Sequence, residues 1–520
     1  MKYIVDSEEM KMYDKNTTSF YKMPEIVLVE QAAGAMSNEV SKLLNKASYK
    51  KVLVVCGTGN NGADGIAVAR LLNEKGYDVD ICIVTDKGLD KASESFRQEL
   101  DIFKAYRYKI YDKDIINSIF EEHKKLGICR YDVIVDGIFG VGLSRDIDGI
   151  YYDTINKLNL LDALKISIDI PSGVCSSTGN IFNIAFSAEY TFTFSFFKLG
   201  HFLWPGVDFC GQVKCVDIGI THRSFLGKQP KFRMLEKSDL VSLPERKRNT
   251  NKSSYGKVLI IAGTKNMAGA AIFSALAAYK MGCGLVRIFT NEINRLIIQS
   301  VLPEAVLVTY DDETDINDTL KANLDWADSV VVGPGLGVGE TSKEIVKSVI
   351  NNTSCPTVFD ADAINIISYN DDYKDLIKKA TKDHNKIFIF TPHMGELSRL
   401  IKVDIANIKQ NIIKLTQKVA DDYKVICVSK DAHTIICESE RNNFLNISGC
   451  EGLASAGSGD VLTGIIASLL GQKVQPNFAT ALGVYLHGLA GEYASRDTTA
   501  SVMARDIADA LKIIFKEIRY

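Results

Sequence analysis

Twice along the chain, short apolar runs end on glycine loops and helical patterns follow them. This repeated rhythm limits the fold more than any other feature. In the first half the runs are 51–56, 79–84, 131–136 and 164–169. In the second they are 257–262, 329–332, 357–360, 386–390 and 425–428. Runs apolar on both faces and separated by helices predict parallel strands covered on both sides. The expected fold is therefore α/β, with two three-layer αβα domains. Residues 24 to about 44 read as a helix with Pro24 near its start, and 65–75 as the helix after the first glycine loop. Helical patterns run from Asp460 to the C-terminus. The rhythm breaks over about 221–254, which places one domain at 1–225 and the other at 226–520. Within the break, Glu245-Arg246-Lys247-Arg248-Asn249-Thr250-Asn251-Lys252 reads as a solvated linker rather than a nucleic-acid tail, because it is short and isolated.

Composition removes several classes. The 61 Lys+Arg nearly balance 64 Asp+Glu, which argues against a nucleic-acid partner. No apolar run reaches the roughly 18–20 residues of a membrane span. The N-terminus turns acidic at Asp6, Glu8 and Glu9 and has no secretory apolar region. The 11 cysteines include no C-x-x-C pair and mostly sit in apolar runs, where a reduced thiol acts as a small hydrophobe. The expectation is a reduced, cytoplasmic protein with no membrane partner and no zinc site.

In the first half, strand 51–56 runs into Gly57-Thr58-Gly59-Asn60-Asn61-Gly62-Ala63-Asp64-Gly65. Gly57, Gly59 and Gly62 satisfy G-x-G-x-x-G, which lets backbone N–H groups face a pyrophosphate. Alone this signal is weak. Asn60, Asn61 and Asp64 add amide and carboxylate oxygens suited to a sugar, a ring edge or a hard cation. Two more strands end in acids, Asp136 before Gly137-Ile138-Phe139-Gly140 and Asp169 before Ile170-Pro171-Ser172-Gly173. The carboxyl ends of parallel strands share one crevice, so Asp64, Asp136 and Asp169 are expected to converge there. A carboxylate in a partly dry crevice can serve as a general base.

These residues resemble a known family. Met23-Pro24 through Glu30-Gln31-Ala32-Ala33-Gly34, then NNGADG, DGIFGVGLSRD and DIPSG, are similar in order to the YjeF N-terminal family. The resemblance implies a Rossmann-like fold and NAD(P)H-hydrate epimerase activity on a nicotinamide dinucleotide hydrated at ring carbon 6. It also implies a potassium ion held by Asn61, Asp136 and Ser172. The dinucleotide falls on Asn60, Asn61, Gly62, Ala63 and Asp64, on Gly140, Val141, Gly142, Leu143, Ser144, Arg145 and Asp146, and on Asp169. Asp169 is the candidate acid/base. Ala63 departs from the family, which usually has Gly there; a methyl is tolerable only if the backbone is not at positive φ.

In the second half, Ala456-Gly457-Ser458-Gly459-Asp460 opens a helix, where glycines let N–H groups face an anion. Asp460 can take the proton of a hydroxyl that attacks a phosphoryl group, and Lys430 can neutralise phosphate charge. His393, after a strand and Pro392, is a candidate site residue, whereas His487 on a helix reads as packing. The set SYGKVLIIAG, VGPGLG, DADAIN, TPHMGEL, AGSGD and HGLAGE resembles a branch of the ribokinase-like superfamily, the ADP-dependent NAD(P)H-hydrate dehydratases. By that likeness the hydrate meets Ala270, Gly335 or Gly337, His393 and Asp460. The adenine nucleotide, ADP as phosphoryl donor, meets Lys430, Asp431, Ala432, His433, Thr434 and Gly459. Asp431 and His433 stand where the family usually has Gly. Magnesium accompanies the nucleotide, as phosphoryl transfer generally requires.

The fusion of both halves resembles the bifunctional NAD(P)H-hydrate repair enzymes, with NADHX and NADPHX as substrates and a homo-oligomeric assembly implied. The residues alone leave other readings. One is a Rossmann oxidoreductase with Asp86 as ribose partner. Another is a ribokinase-like small-molecule kinase with an N-terminal dinucleotide-binding module. In the third the first half only binds and does not catalyse.

Overall fold

The computed structural model describes residues 1–311 and 316–518. The last two positions of the C-terminal helical pattern lie outside the described residues. Two compact units form: one spans Tyr3–Lys231, the other holds Met1–Lys2 and Phe232 onward. The division falls at Lys231/Phe232, against the expected 225/226.

In the first unit seven parallel strands lie in the order Ile110–Asp112, Asp78–Ile83, Lys51–Cys56, Val133–Gly137, Leu164–Ile168, Tyr190–Phe194 and Gln212–Val216. The four expected strands form its centre. Alternate residues of one strand feed opposite layers. Val52, Val54 and Cys56 pack with helices Glu25–Ala47 and Asn60–Glu74, while Leu53 and Val55 pack with Asp114–Leu126 and Gly149–Asn159. Each fully buried Val or Leu contributes roughly 1.5–3 kcal/mol, so a one-residue slip in register would lose most of this core. The strand order reverses between Lys51–Cys56 and Val133–Gly137, the switch point where ligands of open α/β sheets bind.

Local chemistry corrects one sequence expectation and bears out another. The helix expected from Gly65 begins at Asn60, so NNGADG is its first turns and not a loop. Gly59, extended at φ −96° and ψ −168°, caps it without a side-chain hydrogen bond, which leaves first-turn N–H groups free for an anion. Pro24 is the N-cap of Glu25–Ala47; its fixed φ suits that position and its missing N–H costs nothing there.

The second unit is also built on a mainly parallel sheet. Strands Val306–Tyr310, Leu285–Asn291, Lys257–Ile261, Ser329–Val332, Thr357–Phe359, Phe388–Phe390 and Ile426–Ser429 lie parallel in that order. Thr434–Cys437 and Asn443–Asn446 extend the sheet antiparallel. Val258 and Ile260 share one core with helices Ala268–Lys280, Ser458–Gly471, Pro476–Ala494 and Ala504–Ile518. Here too the order reverses beside the first strand, between Lys257–Ile261 and Ser329–Val332. Among the described residues no helix is long and apolar enough to cross a membrane. All eleven cysteines are free thiols.

Candidate active sites

A cavity of about 660 Å³ opens at the switch point of the first unit. Asn60, Asn61, Asp64 and Asp169 line it, as do Gly140, Val141, Gly142, Leu143, Ser144 and Arg145. Gly62, Ala63 and Asp146 are not on its wall. A Cβ on Gly62 would overlap the Gly57 carbonyl oxygen, so this glycine lets the helix start pack on the loop. Gly62→Ala should cost about 1–3 kcal/mol by overpacking; a melting-temperature drop of at least a few degrees would confirm it, and an unchanged melt would refute it. Ala63 is helical, absent from the residues at positive φ and fully buried, so its methyl fills the core without strain.

Asp136 is fully buried beneath the cavity. It accepts hydrogen bonds from the Ser172 hydroxyl at 2.6 Å and N–H at 2.8 Å, and from the Ile138 N–H at 3.1 Å. Burial pushes its carboxyl up to about 6 against these donors. Asn61 is buried alongside, with Nδ2 lacking any hydrogen-bond partner; turning the amide puts an oxygen there instead. This oxygen-rich set, with one orphaned amide, fits a hard monovalent cation.

Asp169 does not stand free. Its carboxylate is ion-paired to Lys198, a fully buried lysine, and also accepts from the Thr193 hydroxyl at 3.0 Å and the Phe194 N–H at 3.3 Å. Burial raises its pKa, but the Lys198 ammonium and these donors outweigh burial and hold it below the ordinary range. The residue sits at φ +63°, a left-handed backbone that Asp tolerates better than most. Lys198 and Thr193 carried no signal in the sequence, since their strands 190–194 and 197–198 lack a glycine loop.

In the second unit the expected residues gather at the carboxyl ends of adjacent strands. Thr264 N–H bonds to the Gly335 carbonyl at 2.7 Å, locking the two glycine loops together. Gly335, at φ +56°, is close enough to Ala270 that a Cβ would lie 3.1 Å from the alanine's own. The Gly337 N–H donates to Asp362 at 2.8 Å. His393 caps helix Met394–Ile401, its Nδ1 accepting from the Gly395 N–H at 2.9 Å. Its Nε2 lies 3.2 Å from Glu396, and the Lys430 N–H bonds to the neighbouring Pro392 carbonyl.

Lys430 Nζ donates to Asp360 at 2.8 Å, and Asp360 also accepts from Thr391 at 2.7 Å. Lys430 is thus ion-paired with Asp360. Asp460 follows Gly459 at the start of helix Ser458–Gly471, whose cap Gly457 is at φ +87° and provides no side-chain hydrogen bond. Burial first, then the Asp360 charge, raises Asp460 to about 7 against the opposing pull of Lys430. Asp431 and Ala432 are exposed, which gives the Asp431 side chain room in solvent. His487 packs as expected: it is buried, burial pushes it down to about 4, and its ring bonds to Ser458. Asp360, Asp362 and Glu396 were missed as site residues although DADAIN and TPHMGEL were noted. Ala361 between the two acids sits at φ +50°, a strained backbone for a residue with a Cβ that is invisible in sequence.

Two doubly wound units, each with a carboxylate at an uncapped helix start and glycine loops at its switch point, define a fused two-module enzyme of nucleotide chemistry. The family model described as YjeF-related protein N-terminus matches residues 25–200, and the one described as NAD(P)H-hydrate dehydratase matches 258–513. The chain is 31% identical over 528 residues to the bifunctional NAD(P)H-hydrate repair enzyme Nnr of Moorella thermoacetica, covering 99% of this chain and 97% of that protein. It is 32% identical over 505 residues to the one from Thermofilum pendens, covering 94% and 91%. An ADP/ATP-dependent NAD(P)H-hydrate dehydratase from Bacillus subtilis, co-crystallized with ATP/Mg2+, is 28% identical, with a TM-score of 0.48, covering 55% of this chain and 98% of that one. The chain belongs to the family of bifunctional NAD(P)H-hydrate repair enzymes.

Proposed function

We propose that this chain repairs nicotinamide dinucleotides hydrated at ring carbon 6. The observation that carries the reading is the pair of carboxylate-bearing switch-point sites, one in each unit, in a chain whose relatives match it nearly end to end. The N-terminal domain, residues 1–225, interconverts the two epimers of NADHX and NADPHX. The C-terminal domain, 226–520, dehydrates the S epimer with ADP or ATP.

In the first site Asn60, Asn61 and Asp64 together with the 140–145 loop hold the dinucleotide, and Asp169 exchanges its proton. Asn61, Asp136 and Ser172 would hold a potassium ion, which would supply positive charge beside the substrate. In the second site Asp460 takes the 6-hydroxyl proton as that oxygen attacks the terminal phosphorus of the nucleotide, whose bridging P–O bond breaks to release AMP from ADP or ADP from ATP. Lys430 and the N–H groups around Gly459 steady the phosphates. The C6–O bond then breaks, carbon 5 loses a proton, phosphate leaves and the ring double bond re-forms. Ala270, Gly335, Gly337 and His393 shape the ring pocket, and Lys430 to Thr434 meet the nucleotide. A magnesium ion held mainly by the phosphates needs only one or two carboxylates, and Asp360 and Asp362 are at hand. We place the chain as a homo-oligomer in the cytoplasm, where its free thiols stay reduced.

The test supplies mixed epimers, ADP, magnesium and potassium and follows reduced-nicotinamide absorbance and free phosphate. Complete conversion is expected with potassium, and conversion stopping part-way without it. A stable phosphorylated product would establish a small-molecule kinase instead, and part-way conversion under all conditions would leave the first domain a binding module.

A further inference from the structure

The first cavity carries an acid that neither its glycine loops nor its central strands supply. Ile4 and Val5 pair in parallel with Phe197 and Lys198, so the helix that follows, Ser7–Lys15, starts beside the lysine that neutralises Asp169. A reciprocal cap between Asp6 and Glu9 opens that helix. Tyr13 pins it through its hydroxyl to the Lys228 carbonyl at 2.8 Å, and Asn16 and Thr17 pin the following turn to Ser224, each at 2.7 Å. Asp14, on this fixed frame, lines the cavity together with Asp169 and Lys198. It is half-buried, and no hydrogen bond or ion pair to its carboxyl occurs among the described residues. A carboxyl withdrawn from water without donors is costly, and the cavity offers a reason to keep it. The orphaned Asn61 amide lines the same cavity and points independently to a polar ligand.

Carbon 6 of the hydrate bears a hydroxyl and is bonded to the ring nitrogen. Such a carbon inverts when the hydroxyl loses its proton, the C–N bond breaks to give an aldehyde, and the nitrogen takes up a proton. Reclosure on the other face reverses each transfer, so no electrons or atoms are gained or lost. The step needs one group to accept a proton and a second to give one. Resting on the epimerase reading above, we propose that Asp14 is the proton donor to the ring nitrogen, paired with Asp169 as the acceptor from the hydroxyl.

The electrostatics agree. Burial raises Asp14 to about 7; Lys198 opposes this, while Asp169 and Glu25 add to it. Asp169 is held low by Lys198 against burial. Two carboxyls pushed apart in this way divide into acid and base. Lys11, Lys15, Asp64 and Arg145 complete the charged wall. Asp64 on the same wall is also pushed well above the usual range, by burial first and then by the Asp169 and Asp14 charges.

The test starts from the pure R epimer with potassium and the full chain, without nucleotide, and follows the S epimer by chromatography above the uncatalysed background. Wild-type kcat should fall as pH rises through about 7, as Asp14 loses its proton. Asp14→Asn should lose about 100-fold or more in kcat with little change in KM and abolish that alkaline limb, while Asp14→Glu recovers part of the rate. An unchanged KM for the R epimer and an unchanged melting transition of the first unit certify the fold of the variant. An Asp14→Asn enzyme at wild-type rate, a loss confined to KM, or an alkaline limb removed by Asp64→Asn instead would each overturn the role of Asp14 alone. A wild-type chain that never interconverts the epimers would overturn the epimerase reading with it.

Discussion

Replacing Asp460 with asparagine is expected to slow ADP-driven dehydration by about 10²–10⁴-fold, the range for removing a positioned general base, while epimerisation continues. The reason lies in how the group is held. Asp460 begins a helix whose glycine cap leaves first-turn N–H groups free, so the phosphoryl group it serves has backbone donors beside it. Burial and the Asp360 charge bring the carboxyl to about 7 in spite of Lys430, which makes it a far better base than an ordinary aspartate. The base must be ionised, so kcat/KM for dehydration should rise with pH through about 7 and level off above it. The asparagine variant should show no such limb. A stability measurement separates this from damage to the fold. A carboxyl whose folded pKa is raised above the unfolded 3.8 contributes stability at low pH and loses it as pH rises through about 7. The variant should therefore gain in melting temperature relative to wild type as pH climbs across that window. Lost activity together with a lowered melting temperature at pH 8 would mean that Asp460 is structural.

The second large effect concerns Asp169. Its ion pair with Lys198 is buried, and removing one partner of such a pair leaves an uncompensated charge at a cost of about 3–5 kcal/mol. For a unit of this size that is roughly 6–20 °C of melting temperature. Asp169→Asn should show this drop together with loss of epimerisation, although asparagine tolerates the left-handed backbone at that position. The double variant Asp169→Asn/Lys198→Met should recover most of the stability, because the orphaned ammonium is gone, and none of the epimerisation. Recovery of both would place Asp169 in the framework rather than in the chemistry.

Much of the fold was legible because parallel strands buried on both faces need continuous apolar runs, and runs such as Lys51–Cys56 and Ser329–Val332 coincide with their strands. Edge strands read less well. Gln212–Val216 alternates exposed and half-buried positions and presents no such run, whereas Val306–Tyr310 presents one although it is only partly buried. The glycine loops were equally visible, since positive φ at Gly335, Gly337 and Gly457 restricts the residue type. The partners of the site acids were not. Lys198 meets Asp169 because two strands of the first unit end at one crevice, and Asp360 meets Lys430 because their strands flank Phe388–Phe390 in the sheet.

The sequence by itself determined the two α/β units and the glycine loops at their switch points and singled out Asp169 and Asp460 as candidates, because hydrophobic period and glycine conformation are local properties. Only the tertiary structure decided what each carboxylate does with its proton. Lys198 holds one low, while burial beside Asp360 lifts the other, and charge interaction acts through the few ångströms of space that folding creates between residues distant in the chain.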